Sequence, residues 1–260
     1  MMKTSIKKII CSMATALVLS TPVAVYAEDS PHEFSANVSI TTDYRFRGVS
    51  QTTEDPALQG GFDYSYTPIG FYAGVWASNI DFAESGVSDT ADLEMDFYGG
   101  FAGEFSGTGI GWDIGGLYYA YPGSDTSPAL TDDYDYFEVY GSLSYDFGNF
   151  NVSGGLNYSP DYFFESGDAT YVYGDVGIPL PVGGLNLSGH VGHQWIDDNA
   201  QILLPDYTDW KIGVSKDIGA FTFDVSYVDT DIEDSECFGG GLVFGDLCDA
   251  TAIFTVSASF

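Results

Sequence analysis

From Phe34 to Phe46 the sequence alternates apolar and polar residues one by one. Phe34, Ala36, Val38, Ile40, Thr42, Tyr44 and Phe46 fall on one side, and Ser35, Asn37, Ser39, Thr41, Asp43, Arg45 and Arg47 on the other. A period of two belongs to an extended strand and to no helix, so the stretch reads as a strand with one apolar and one polar face. The last residues repeat the pattern: Ala252, Phe254, Val256, Ala258 and Phe260 alternate with Thr251, Thr255, Ser257 and Ser259. Ten more candidate strands start near Ala57, Phe71, Asp92, Ile110, Asp133, Phe150, Ala169, Leu185, Tyr207 and Phe221.

The connections between these strands fall into two alternating classes. Residues 67–70, 106–109, 148–149, 181–184 and 219–220 are tight, Gly-, Pro- or Asn-bearing turns of the kind hairpins require. Residues 48–56, 83–91, 122–132, 160–168, 197–206 and 233–249 are longer and acidic. A soluble sandwich has no reason to put every short turn at one end. An antiparallel up-and-down β-barrel in an outer membrane does, with short periplasmic turns, long extracellular loops and an even strand number. The expected fold is therefore an all-β transmembrane barrel of about twelve strands. Aromatic residues on the apolar faces, among them Phe62, Phe97, Phe101, Trp112, Trp195, Trp210, Phe221 and Tyr227, suit its interfacial girdles.

Two parts follow from this. Residues 1–27 read as a cleaved secretory signal: a basic start (MMKTSIKK), an apolar core and the small-residue pattern of Val25 and Ala27. Residues 28–260 form the barrel domain. Removing the signal takes Lys3, Lys7 and Lys8 with it and leaves Arg45, Arg47, Lys211 and Lys216 against 38 acids, a formal charge of −34. Nucleic acid is excluded as a partner, because no basic patch survives to meet phosphates.

The blocks "TTDYRFRGVSQTTEDPALQGGFDY" and "GFYAGVWASNIDF", with the paired cysteines near the end and the terminal strand, resemble the TorF family of proteobacterial outer-membrane porins. The resemblance covers essentially the whole mature chain and implies an outer-membrane location and a pore role. It carries over no catalytic residue and no substrate.

Parity assigns a lumen face. Asp43, Arg45 and Arg47 come from the first strand, Asp63 from the second and Asp92, Glu94 and Asp96 from the fourth. Asp113, Glu138, Asp175 and Lys211 come from later strands. The third strand is ambiguous, with Phe71, Ala73, Val75 and Ala77 taken as facing lipid. A lumen so rich in carboxylates attracts cations, which predicts a small, cation-preferring channel for passive diffusion. The competing expectation is a non-conducting barrel serving structurally or through its acidic loops. The two arginines should sit about 30 Å above Phe34 at the barrel mouth, paired with Asp63 or the acids of the fourth strand.

Enzyme readings are weaker. Asp92, Glu94 and Asp96 offer paired carboxylates without a catalytic partner. An outer-membrane lipase would need a nucleophile beside a histidine. His32, His190 and His193 lack a flanking nucleophile motif, and parity sends His190 inward and His193 outward, which also disfavours a shared metal. No cofactor is expected. The acidic stretches SDTAD, TDDYD and DDNA lack the spacing of a calcium loop and suit weak divalent bridging to lipopolysaccharide. Cys237 and Cys248 are expected to form a disulfide within the last long loop. The expected partners are outer-membrane lipid and lipopolysaccharide, small polar solutes or cations, and the barrel-assembly machinery through Phe260.

Overall fold

A computed structural model describes residues 30–82, 91–124, 134–198, 202–239 and 245–260. Fourteen strands lie in that part of the chain: β1 His32–Thr41, β2 Arg45–Phe46, β3 Val49–Ser50, β4 Ala57–Tyr66, β5 Phe71–Asn79, β6 Leu93–Glu104 and β7 Ile110–Ala120, followed by β8 Tyr136–Asp146, β9 Asn151–Ser159, β10 Ala169–Pro179, β11 Leu185–Ile196, β12 Tyr207–Ile218, β13 Phe221–Thr230 and β14 Thr251–Ser259. Twelve of them close into one antiparallel barrel, and β2 and β3 form a separate two-stranded ribbon. Each barrel strand pairs with its sequence neighbour, and β1 closes the ring against β14 from Asn37↔Ser259 to Thr41↔Thr255. Phe260 extends the seam, donating its N–H to Ala36 O at 2.8 Å and accepting from Ala36 N at 3.1 Å.

The expected strand starts match within a few residues. The strand expected from Asp133 begins at Tyr136, and Asp133 lies outside the described residues, as do the expected signal peptide and parts of the loops holding SDTAD, TDDYD and DDNA. Tight turns take the φ > 0 that glycine supplies. Gly219, at φ 66°, opens the two-residue turn between β12 and β13.

The wall is inverted relative to a water-soluble protein. Phe34, Ile40, Phe62, Ile114, Val191, Ile212 and Val225 are exposed on its outside, whereas Glu94, Asp96, Asp113, Glu138, Gln194 and Asp209 are buried within. A contiguous apolar belt of this kind is unfavourable in water and matches hydrocarbon, where a closed barrel also leaves no backbone group unpaired. On β5, Tyr72 is buried and Phe71, Ala73, Val75 and Ala77 take the opposite parity, as expected for that ambiguous strand.

Glycines on the inner face make room for tyrosines lying flat along the wall. A Cβ on Gly74 would stand 2.5 Å from the Tyr98 hydroxyl, one on Gly100 2.5 Å from that of Tyr72, and one on Gly115 2.5 Å from that of Tyr140. In each case the tyrosine sits on the neighbouring strand directly opposite its glycine. Glycine and tyrosine, both abundant in this chain, thus share the lining of the lumen.

Candidate functional site

The lumen is where charge collects, and its outer half is filled by the chain itself. The wall strand β1 ends at Thr41, and the Thr42 N–H still bonds to Phe254 O at 3.0 Å. Beyond that point the chain turns inward. Arg45 pairs with Ser50 and Phe46 with Val49 across the β2–β3 ribbon, whose turn is made by Arg47 at φ 47° and Gly48 at φ 85°. Gly48 is required there twice over: its φ is left-handed, and a Cβ would come within 2.4 Å of Thr230 Cγ2 and 2.9 Å of Asp209 Cβ.

This corrects the expectation for the first strand. Asp43, Arg45 and Arg47 do not line the wall as part of a continuous strand; they belong to a segment, residues 42–56, folded into the barrel. Tyr44 and Phe46, expected to face lipid, are inside as well. The Tyr44 hydroxyl donates to Glu94 Oε1 at 2.7 Å, and the Phe46 ring lies 5.7 Å from that of Tyr119. Alternation continued to Phe46, but of the two partner strands β4 goes no further than Ala57, opposite Thr41, and a ribbon has a period of two as well.

Arg47 carries the segment to the opposite wall. Its Nη2 donates to Glu138 Oε1 and Oε2 at 2.7 and 2.8 Å, and its Nη1 to Gln194 Oε1 at 2.6 Å. The guanidinium lies over the Tyr171 ring, 4.3 Å from its centroid. Glu138 is on β8, five strands from β1 one way round and seven the other. Both charged side chains are only 2% exposed. Glu138 accepts two further bonds, from Asn157 Nδ2 at 2.9 Å and the Tyr119 hydroxyl at 3.2 Å, so the carboxylate is compensated on several sides.

Arg45 works within the segment and toward the last long loop. Its Nε donates to Asp43 Oδ2 at 2.5 Å and its Nη2 to Glu54 Oε1 at 3.0 Å. Its Nη1 donates to Leu247 O at 2.7 Å and Asp249 O at 3.2 Å. These carbonyls flank Cys248, which is bonded to Cys237 as the sequence led us to expect. The arginines therefore pair with Asp43, Glu54 and Glu138, not with Asp63 or the acids of the fourth strand. Beside the segment, at the long-loop end, Tyr134 stacks on Phe163 with centroids 5.3 Å apart, and Tyr136 meets Tyr162 at 4.8 Å.

Below this plug the lining is polar. The Tyr72 hydroxyl donates to Asp113 Oδ1 at 2.6 Å, and that of Tyr98 donates to Asp63. His190 faces inward, its Nδ1 2.7 Å from Asp175 Oδ1 and its Nε2 3.3 Å from Asp209 Oδ1. The Tyr171 hydroxyl also donates to Asp209, at 2.8 Å. Lys211 stands opposite His190 in the register, with Asp224 and Asp175 as its charged neighbours. Asp92 departs from its expected place: it precedes β6 and is exposed, because the wall begins only at Leu93.

The remaining histidines sit away from the lumen. His193 Nδ1 is 2.9 Å from Thr208 Oγ1 with Trp195 against the ring, and His32 Nδ1 is 2.7 Å from the Tyr64 hydroxyl. Gln194, Asn157 and Glu54 are participants that sequence reasoning passed over. Gln194 had a usable signal, since its parity is inward beside His190, whereas Glu54 sits in what read as a plain acidic loop.

A family model described as "Bacterial protein of unknown function (Gcw_chp)" matches residues 26–260. No curated protein matches the chain. Among solved structures, the barrel is similar to the NanC porin, with a TM-score of 0.54 at 12% identity over 87% of this chain and 99% of that one. Weaker likenesses are the outer membrane channel DcaP of Acinetobacter baumannii, with a TM-score of 0.42 at 14% identity over 83% and 65% of the two chains, and LpxR from Salmonella typhimurium, with a TM-score of 0.43 at 11% identity over 87% and 99%. At these identities the likeness to the NanC porin establishes a porin-like barrel fold, and the two weaker ones add nothing to it.

Proposed function

The chain belongs to the Gcw_chp family, and from that starting point we propose that it is an outer-membrane, porin-like channel for passive diffusion of small polar solutes or ions, preferring cations and narrowed by the in-folded segment 42–56. The observation that carries this reading is the inside-out wall: an apolar exterior around a lumen in which Asp63, Glu94, Asp96, Asp113, Glu138, Asp175 and Asp209 outnumber Arg45, Arg47, Lys211 and His190. Fixed carboxylates in a low-dielectric tube raise the local concentration of cations and repel anions. The TorF-type resemblance agrees with this reading, and with it we propose that residues 1–27 are cleaved and that the outer surface meets lipid and lipopolysaccharide. Recognition of Phe260 by the barrel-assembly machinery belongs to the same proposal.

One observation favours a second reading, a barrel closed at rest. The Arg47–Glu138 pair crosses the lumen with both side chains almost fully buried. Recording in a planar bilayer under a salt gradient separates the readings. A reversal potential of cationic sign is expected. An anionic sign would remove the carboxylate mechanism, and silence from both the wild type and a variant lacking the segment would remove the channel.

A further inference from the structure

Outside residues 1–29 the sequence holds four basic side chains, and each has a place. Arg45 is bound to Asp43 and Glu54, and Arg47 to Glu138. Lys211 lies near Asp224 and Asp175, and Lys216 is exposed on β12. Glu94, 2% exposed, and Asp96, 8% exposed, lie two apart on the inner face of β6, and none of these four cations is bound to either. No lysine or arginine in the undescribed loops can supply one, because those loops contain none.

A second observation is independent of the charge count. Asp96 Oδ1 is buried and has no hydrogen-bond partner. An unsolvated, uncompensated carboxylate oxygen is strongly unfavourable and calls for a counter-charge at that spot. The surroundings are rich in oxygen. Ser78 stands opposite Glu94 across the β5–β6 register, and the hydroxyls of Tyr44 and Tyr121 lie at the Glu94 carboxylate. Ser78 Oγ donates to Asn79 O at 2.9 Å and accepts from Gln59 Nε2 at 3.4 Å, which leaves it one lone pair.

We propose that Glu94 and Asp96 hold a hard metal cation of the calcium or magnesium class. Two carboxylates balance a doubly charged ion, and carboxylate, hydroxyl and water oxygens are the ligands such ions prefer. Neither histidine nor cysteine stands among these groups, so a nitrogen- or thiolate-seeking transition metal does not fit; among the described residues no third His, Cys, Asp or Glu converges with the pair, so hydroxyls and water would complete the shell. Because Tyr44 belongs to the in-folded segment and Glu94 to the wall, the ion would also fasten one to the other. The proposal rests on the cation-attracting lumen argued above, but occupancy of the site does not require conduction.

The test is thermal unfolding of the detergent-solubilised full chain while CaCl2 or MgCl2 replaces choline chloride at constant ionic strength. An ion that binds only the folded state raises the midpoint with its logarithmic concentration. The wild type is expected to gain several degrees, and Asp96→Asn and Glu94→Gln are expected to lose most of that response. An equal response in the variants would assign the binding to the acidic loops and overturn the proposal. So would a midpoint that ignores both metals and follows pH alone, which would make protons the counter-charge, and so would a response to Na⁺ but not to Ca²⁺ or Mg²⁺. Should the variants fail to fold, anomalous scattering from Mn²⁺-soaked wild-type crystals decides: a peak between Glu94 and Asp96 is expected, and none there overturns it. None of these readouts involves current, so a silent channel and an empty site remain separate results.

Discussion

In the barrel wall each strand bonds to its neighbour in sequence, so all but one of the strand pairings join segments separated by a single turn or loop. In the segment folded into the lumen the partners are remote. Arg47 reaches a carboxylate 91 residues away and a glutamine 147 away, and Arg45 reaches carbonyls 202 and 204 residues away. The wall is many repeats of one weak rule. The segment is held by a few buried, charge-assisted bonds that exist only once the ring has closed. It follows that the two should fail separately, the wall by steric insult and the segment by loss of a single partner.

The largest effect is expected from Arg47→Ala. It leaves Glu138 buried without its cation, a loss of about 3–5 kcal/mol for a broken buried pair. The segment should unseat while the barrel persists, visible as raised open-channel current with unchanged heat-modifiable migration on a gel. A fall in barrel assembly equal to the gain in current would show that wall and segment are not separable.

Next comes the disulfide. Cys237 and Cys248 are 11 residues apart, and joining them stabilises the loop by about 2–3 kcal/mol in the chain-entropy account. Replacing both with serine should loosen the carbonyls that Arg45 holds and increase current fluctuations, with less effect than Arg47→Ala. Quiet recordings identical to wild type would mean that Arg45 is fixed by Asp43 and Glu54 alone.

A wall substitution gives the converse. In Gly115→Ala the new Cβ would lie 2.5 Å from the Tyr140 hydroxyl and 2.7 Å from Gly99 O, and a backbone oxygen cannot step aside as a side chain can. Overpacking of this kind costs about 1–3 kcal/mol. The unfolding midpoint should fall with the bonds of Arg47 intact; an unchanged midpoint would show that tyrosine and strand adjust together.

The same contrast explains what the sequence revealed. Alternation and turn spacing are local, so the number of strands, their starts and the inward faces of Glu94, Asp113, Glu138, Asp175 and His190 were all readable. The segment was not. Asp43, Arg45 and Arg47 continue the alternation of β1, and nothing local distinguishes a strand that stays in the wall from a ribbon that leaves it. Gly48 was the available clue, because a glycine two residues before the polar run 50–55 interrupts the alternation and suits a turn, yet it read as the start of a loop outside the barrel. The pairing of Arg47 with Glu138 depends on barrel closure, which places β8 almost opposite β1, and no spacing in the sequence encodes that meeting. Asp92 was misplaced for a simpler reason: parity says which way a residue faces but not where the wall begins.

If segment 42–56 is the constriction of a cation-preferring channel, removing it must widen the pore. Single-channel recording under a salt gradient, comparing the wild type with a variant in which residues 43–54 are replaced by a short Gly-Ser turn, tests it most directly. A several-fold larger unit conductance is expected in the variant, with a reversal potential that keeps its cationic sign because the wall carboxylates remain. Equal conductance in the two proteins would contradict it.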